Sequence, residues 1–235
     1  MPHTRAVSFD GDDTLWDFGT ALRAGLEAAV RCFHTEGLAQ HDGTPVTAEW
    51  LSKLRAEVAA RPERRDARIA EIRMESLQKA AEHTGARAGF AGEVFDQFMA
   101  VRHDSVRVYP ETLACLTDLA QCGWRLALIT NGNSDPSRLG LDALLEVQVY
   151  ADDCGLRKPD PAIYRHAAKR LGTTPESCVH VGDHPEQDVT ASHAAGMRPV
   201  WLNRGGLDRP AGTAPSLEIA SLAELPPLLD APVAG

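Results

Sequence analysis

The sequence predicts an α/β protein, a parallel sheet flanked by helices and interrupted by an inserted helical bundle. Three observations carry this. In the second half of the chain, short apolar stretches alternate with helical patterns, the signature of right-handed βαβ units around a parallel sheet. Between about 19 and 107 only helices and turns are legible, which reads as a separate bundle. Finally, each conspicuous polar cluster directly follows an apolar stretch, and open parallel sheets bind ligands beyond the carboxyl ends of their strands.

Ala6-Val7-Ser8-Phe9 reads as a buried strand. It empties into Asp10-Gly11-Asp12-Asp13-Thr14-Leu15-Trp16-Asp17, with four carboxylates in eight positions. Close carboxylates repel unless a cation or a proton sits among them, so this stretch is expected to bind a metal or do acid chemistry. A helix at about 20–36 follows from the spacing of Leu22, Leu26, Ala29 and Phe33, and Gly37 ends it. Thr47 can cap a second helix at about 48–60, which Arg61-Pro62 stops. A third runs from about 63 to 84, with Gly85 beyond its end, and a fourth from about 91 to 104.

From Tyr109-Pro110 the pattern changes. A helix at about 111–122 leads to a strand over 124–130, then a turn at Asn131-Gly132-Asn133 and a short helix. A strand at about 147–150, a loop through Lys158-Pro159-Asp160 and a helix at about 160–171 come next. The strand Cys178–Val181 runs into Gly182-Asp183, and a helix at about 187–195 ends at Gly196. Strands at 199–202 and near 217–219, with a helix from about Ser221, close the chain; its last few residues are expected to fray.

Totals narrow the function. The 235 residues suffice for one large domain, or a medium one with an insert. A net charge of −9 argues against nucleic-acid partners and suggests no anionic membrane. No apolar run approaches the ~20 residues of a membrane span, and no signal-peptide pattern precedes the first strand. Five scattered cysteines without a CxxC pair fit reduced thiols in a cytoplasmic protein.

The strand ends suggest a reaction. Gly11 lets the chain bend, so that Asp10 can face a substrate as nucleophile while Asp12 sits beside it as acid and base. Carboxylates facing a phosphate dianion need a hard cation, for which Mg²⁺ is the natural choice and Asp183 a plausible distal ligand. Lys158 can neutralise both nucleophile and phosphate, and Thr130 with the Asn131 backbone N–H can hold a phosphoryl oxygen. Several bland readings stand beside these. His180 and His184 read as structural or surface histidines rather than a transition-metal site, for want of a third suitably spaced ligand. Of Arg61, Arg64, Arg65, Arg68 and Arg73, most read as a solvated face, with one or two reaching the site. Trp16 and Phe18 read either as gates over the substrate or as simple packing.

Four motifs in order resemble the haloacid dehalogenase superfamily. They are Asp10-Gly11-Asp12-Asp13-Thr14, Thr130 closing Leu128-Ile129-Thr130, Lys158 before Pro159, and Gly182-Asp183 through Asp188. The resemblance covers about 1–18 and 108–235 and implies a Rossmann-like parallel-sheet core, with 19–107 as a C1-type helical cap. It implies Asp10 as nucleophile and Asp12 as general acid/base, with Thr130 and Lys158 completing the catalytic set. Asp10, the Asp12 carbonyl and Asp183 would ligate Mg²⁺, Asp188 would support Lys158 and the metal region, and Gly11, Asn131, Gly132 and Trp16 would contact substrate. Asp13 departs from the pattern, since Gly is common there, but it is not a working position. The activity implied is Mg²⁺-dependent hydrolysis of a small phosphorylated metabolite through an aspartyl-phosphate, by a monomer or homodimer. A phosphomutase, a metal-independent 2-haloacid dehalogenase and a non-enzymatic binding protein are the alternatives. The family's dehalogenases lack an acid at the Asp12 position, which sets that reading back.

Overall fold

The computed structural model describes residues 5–64 and 67–230. Two compact units emerge: one runs to Asp17 and resumes at Arg107, and the other is Phe18–Val106.

The first unit is built on six parallel strands: β1 (Ala6–Phe9), β4 (Arg125–Thr130), β5 (Val147–Tyr150), β6 (Cys178–Gly182), β7 (Arg198–Leu202) and β8 (Leu217–Ile219), in spatial order β5-β4-β1-β6-β7-β8. Short strands β2 (Trp16–Asp17) and β3 (Arg107–Val108) pair antiparallel where the chain leaves this unit and returns to it. β1 lies between β4 and β6, with Phe9 in register with Leu128 and Val181. Its four residues are wholly buried, Ser8 included, the near-continuous apolar pattern of a strand covered on both faces. Because the three central strands run parallel and in step, Asp10, Thr130-Asn131 and Gly182-Asp183 all leave the sheet at the same edge.

Helices α5 (Thr112–Gln121), α6 (Ala151–Cys154), α7 (Pro161–Arg170), α8 (Ala191–Ala195) and α9 (Leu225–Asp230) complete the unit. Asp160 caps α7 by accepting from the Ala162 N–H at 2.8 Å, with Pro161 at the first helical position. Ile163, Tyr164, Ala167 and Ala168 of α7 are buried in one cluster with Ala127, Ile129, Val147 and Val149. This packing presses α7 against β4 and β5 and holds the loop before it.

In the second unit, α1 (Phe18–Thr35), α2 (Ala48–Ala59), α3 (Ile69–Thr84) and α4 (Phe90–Ser105) enclose their own core. Leu26, Ala29 and Phe33 of α1 meet Leu77, Ala80, Phe90, Val94 and Phe98 there. Thr47 caps α2, its hydroxyl accepting from the Trp50 N–H at 3.1 Å. Gly85 ends α3 in the left-handed region at φ 67°.

Several expectations shift. The helix expected from about 63 begins at Ile69, and a 3₁₀ turn occupies Pro62–Arg64; residues 65–66 lie outside the described residues. The short helix expected after Asn133 is a 3₁₀ turn at Pro136–Leu139, capped by Asp135. The helix expected at about 187–195 is a π-helical turn, Pro185–Thr190, followed by α8. The helix expected from Ser221 opens as a 3₁₀ turn under a Ser221–Glu224 capping box and becomes α-helical at Leu225. The pairing of Trp16-Asp17 with Arg107-Val108 falls at the edge of a span read as strand-free, because two-residue strands leave no periodicity to detect. The N-terminal segment 1–4 and the terminal residues expected to fray, 231–235, lie outside the described residues. No helix of the described residues is long and apolar enough to cross a membrane.

Phe33 is fully buried and meets Phe90 edge-on at 5.0 Å. Phe33→Ala should therefore cost about 3–5 kcal/mol of unfolding free energy, measured by denaturant titration. A loss below about 1 kcal/mol would mean that this ring is not central to the helical core.

Candidate active site

The site begins in the loop that follows β1. The Gly11 carbonyl accepts from the N–H groups of Thr14, Leu15 and Trp16, which curls the chain back on itself. Asp13 sits in the left-handed region at φ 59°. This is a conformation that Asp tolerates better than most residues and that Gly adopts freely, so Asp13 can stand where the resemblance commonly has Gly. Trp16 is fully buried and its Nε1–H donates to Asp12 Oδ1 at 2.7 Å. A Cβ on Gly11 would run into the Trp16 ring. Trp16 thus departs from the expected substrate contact: it is a buried anchor that orients Asp12.

Arg204 fastens the same loop from outside. Its Nη1 pairs with Glu111 at 2.5 Å, its Nη2 donates to the Thr14 carbonyl at 3.1 Å, and its guanidinium lies over the Tyr109 ring at 3.8 Å. The Thr112 hydroxyl adds a bond to the Leu15 carbonyl at 2.8 Å. Sequence reading passed over Arg204 and Glu111, since they are 93 residues apart and belong to no local pattern.

Lys158 occupies the centre. It is 3 % exposed, and its Nζ lies 2.5 Å from Asp10 Oδ1 and 2.7 Å from Asp188 Oδ1. Burial alone would lower its pKa, but the two carboxylates outweigh burial and hold it above the ordinary lysine value. Asp188 accepts from the His184 N–H at 2.9 Å through its other oxygen. Burial opposes its charge, yet Lys158 and His180 pull its pKa well below the usual carboxylate range. For Asp10 the balance is reversed: burial, with Asp188 and Asp12 nearby, raises it well above that range against the pull of Lys158.

His180, buried in β6, stands behind Asp188. Its Nε2 lies 3.3 Å from Asp188 Oδ1, its Nδ1 lies 2.9 Å from Ser8 Oγ, and Tyr164 packs edge-on at 4.8 Å. Burial lowers its pKa. The neutral tautomer with Nε2–H donating to Asp188 satisfies both nitrogens, since Ser8 can donate to Nδ1. The expected structural histidine is therefore a buried support for Asp188. His184 serves locally, its Nδ1 accepting from the Gln187 N–H at 3.2 Å.

Asn131 clamps the Lys158 loop. Its side chain accepts from the Lys158 N–H and donates to the Lys158 carbonyl, each at 3.0 Å, and donates to Gln187 Oε1 at 3.0 Å. Its side chain is thus engaged by protein, which leaves only its backbone for the substrate contact expected of it. The Thr130 hydroxyl accepts from the Gly132 N–H at 2.8 Å. A Cβ on Gly132 would lie 2.5 Å from Asp12 Oδ2 and 3.1 Å from Thr130 Oγ1, so Gly132 lets β4's end approach Asp12. Gly182 is equally confined, because a Cβ there would overlap the Asp188 side chain.

Carboxylate oxygens of Asp10, Asp183 and Asp188 lie within 4.8 Å of one another. Burial first, then the charges of Asp188 and Asp13, push Asp183 up to about 7. Its partner is Thr14, whose hydroxyl donates to Oδ1 at 3.4 Å, and Trp201 Nε1–H holds the Asp183 carbonyl at 2.8 Å. Three convergent hard oxygen donors, two of them raised in pKa by burial first and by neighbouring carboxylates second, fit a small divalent cation, which favours their ionised forms. Asp12, expected among the ligands through its carbonyl, directs its carboxylate to Trp16.

Residues 4–196 match the family of haloacid dehalogenase-like hydrolases, and the chain belongs to that family. It is a hydrolase by that membership. It is 32% identical over 154 residues to phosphoserine phosphatase of Thermus thermophilus, spanning 63% of this chain and 61% of that one. It is 28% identical over 239 residues to N-acylneuraminate-9-phosphatase of Rattus norvegicus, covering 97% and 95%. Among solved structures, a 2-haloacid dehalogenase from Pseudomonas syringae pv. Tomato superposes with a TM-score of 0.80 at 36% identity, covering 96% of this chain and 98% of that one.

Lys158→Met leaves Asp10 and Asp188 buried without their cation, at an expected cost of about 3–5 kcal/mol at neutral pH. The cost should shrink on acidification. Without Lys158 a carboxylate of the pair titrates higher when folded than unfolded, so stability falls as pH rises through its folded pKa. Denaturant titrations at acid and neutral pH check this, and a pH-independent cost would disprove it.

Proposed function

We propose that this chain is a Mg²⁺-dependent phosphatase of small phosphate monoesters, working through an aspartyl-phosphate on Asp10. The observation that carries the reading is the pairing of two differently held carboxylates on one loop. Asp10 points to Lys158, and Asp12 is held apart from it by Trp16. Such a pair divides the work of nucleophile and proton carrier.

In the first half-reaction an Asp10 oxygen attacks phosphorus, the P–O bond to the leaving group breaks, and Asp12 gives its proton to the departing oxygen. In the second, Asp12 takes a proton from water as that water attacks phosphorus, releasing phosphate and restoring Asp10. Lys158 and the Thr130 hydroxyl offset charge on the phosphoryl oxygens, with the Asn131 N–H next along the loop, while the Gly132 N–H is used to orient the Thr130 hydroxyl. Asp10 and Asp183, with the Asp12 carbonyl, would hold Mg²⁺, which would supply the positive charge that lets a phosphate dianion approach a carboxylate-rich site. Asp188 acts through Lys158, which it fixes at 2.7 Å. The inserted unit, Phe18–Val106, serves in this reading as the cap that selects substrate.

Phosphatase names among the relatives support this reading, since they recur with coverage of most of the chain. The Pseudomonas structure favours a second one, metal-independent dehalogenation with the same nucleophile. Asp12 weighs against it, because the resemblance gives the family's dehalogenases no acid at this position.

Phosphate release from a panel of metabolite monoesters should require Mg²⁺ and stop on chelation. Asp10→Asn should abolish it, and Asp12→Asn should lower kcat by about 10²–10⁴-fold. Activity surviving Asp10→Asn would sink the mechanism. Halide release from a 2-haloacid in chelator would favour the second reading, and an isomeric sugar phosphate as product would indicate a mutase.

A further inference from the structure

The turn that carries Asp12 is a closed unit. The Gly11 carbonyl accepts from the N–H groups of Thr14, Leu15 and Trp16, and the Asp13 N–H donates to the Trp16 carbonyl at 2.8 Å. The Trp16 indole in turn holds the Asp12 carboxylate at 2.7 Å. Turn 11–16 and the Asp12 side chain are therefore coupled, and a shift of one carries the other. Asp10 is set separately. Its N–H donates to the Val181 carbonyl at 2.9 Å, and its carboxylate meets Lys158. The nucleophile is thus fastened to β6 and Lys158, whereas the acid depends on whatever holds the turn.

Arg204 contributes to that hold. It stands in the loop between β7 and β8, and its Nη2 donates to the Thr14 carbonyl at 3.1 Å. Its Nη1 meets Glu111, just before α5, and its guanidinium covers the Tyr109 ring. A surface loop makes a poor anchor by itself, but Asn203 fixes this one. The Asn203 N–H donates to the Ile219 carbonyl at 2.8 Å. Its side chain donates to Glu218 and to the Leu207 carbonyl and accepts from the Leu207 N–H. Burial opposes the charge of Glu111, yet the bond from Arg204 draws its pKa below the ordinary value. A partly exposed ion pair adds little to stability. A two-armed fork stacked on a ring fixes direction instead, and a misplacement of ~1 Å in a reacting group can cost about 10²-fold in rate.

We propose that Arg204 is a positioning residue for proton transfer: by fixing turn 11–16 it aims Asp12 at the leaving-group oxygen, while the attack by Asp10 rests on other supports. This depends on the phosphatase reading and deepens it.

The test compares two esters on wild type, Arg204→Met, Arg204→Lys and Glu111→Gln, with Mg²⁺ present. Glycerol 3-phosphate releases an alkoxide, which needs the Asp12 proton. p-Nitrophenyl phosphate releases a stable phenolate, which does not. The ratio kcat/KM covers the steps up to that departure and excludes the later attack of water. Arg204→Met should lower kcat/KM for glycerol 3-phosphate about 10–100-fold, and for p-nitrophenyl phosphate by less than about threefold. Arg204→Lys keeps the charge but not the fork and should show the same selective loss. Glu111→Gln frees one arm of the fork and should show a smaller loss with the same selectivity, which carries the test if Arg204→Met does not fold. Equal losses on both esters, no loss, or a wild-type Arg204→Lys would overturn the proposal. Should wild type fail on both esters, the phosphatase reading is what fails. Where either ester is not hydrolysed, amide exchange followed by NMR decides whether Arg204 holds the turn. In Arg204→Met, exchange at Thr14, Leu15 and Trp16 should quicken at least about tenfold while that at Asp10 stays as it was. Unchanged exchange at the three, or equal quickening at Asp10, would refute the hold.

Discussion

A buried lysine between two buried carboxylates governs the catalytic unit. Lys158 reaches Asp10 and Asp188 at once, and none of the three would keep its charge in that environment alone. The surrounding bonds make sense as means of holding this triad. Asn131 ties the Lys158 backbone at both its N–H and its carbonyl. His180 and the His184 N–H occupy Asp188. Tyr164 donates to the Gln187 carbonyl and packs against His180. The triad still carries an excess of negative charge once Asp183 is counted, and that excess is the physical basis for expecting a cation.

The parallel sheet provides the precision. Asp10, Thr130 and Asp183 come from three separate strands, β1 and its two neighbours, whose register sets their ends level. Glycines then remove the last obstacles: Gly11 makes room for Trp16, Gly132 for Asp12, and Gly182 for Asp188. The π-helical turn at Pro185–Thr190 has a related effect. Its wider coil presents Asp188 to both His184 and Lys158, and such turns concentrate at functional sites.

The helical unit follows a different economy. Its apolar face is satisfied internally around Phe33, Phe90 and Phe98, and most of its surface arginines are matched with glutamate or exposed. Arg73 is the exception that local composition would not single out. Arg61, Arg64, Arg65, Arg68 and Arg73 look alike along the chain, and only burial over the Phe98 ring sets Arg73 apart from Arg61, Arg64 and Arg68.

The sequence by itself determined the α/β class, the interrupted order of the units and the polar positions at the strand ends. These are legible because apolar periodicity, glycine stops and clustered carboxylates are local signals. It also supplied the resemblance that the family match bears out. Tertiary structure decided what those residues touch. Trp16 is an anchor rather than an open contact, Asn131 spends its side chain on the Lys158 loop, and His180 backs Asp188 from inside the sheet. Arg204 and Glu111, and Arg73 over Phe98, become partners only on folding. Burial and long-range pairing leave no trace in spacing along the chain. Yet they set which charges are compensated, and so which groups remain available for chemistry.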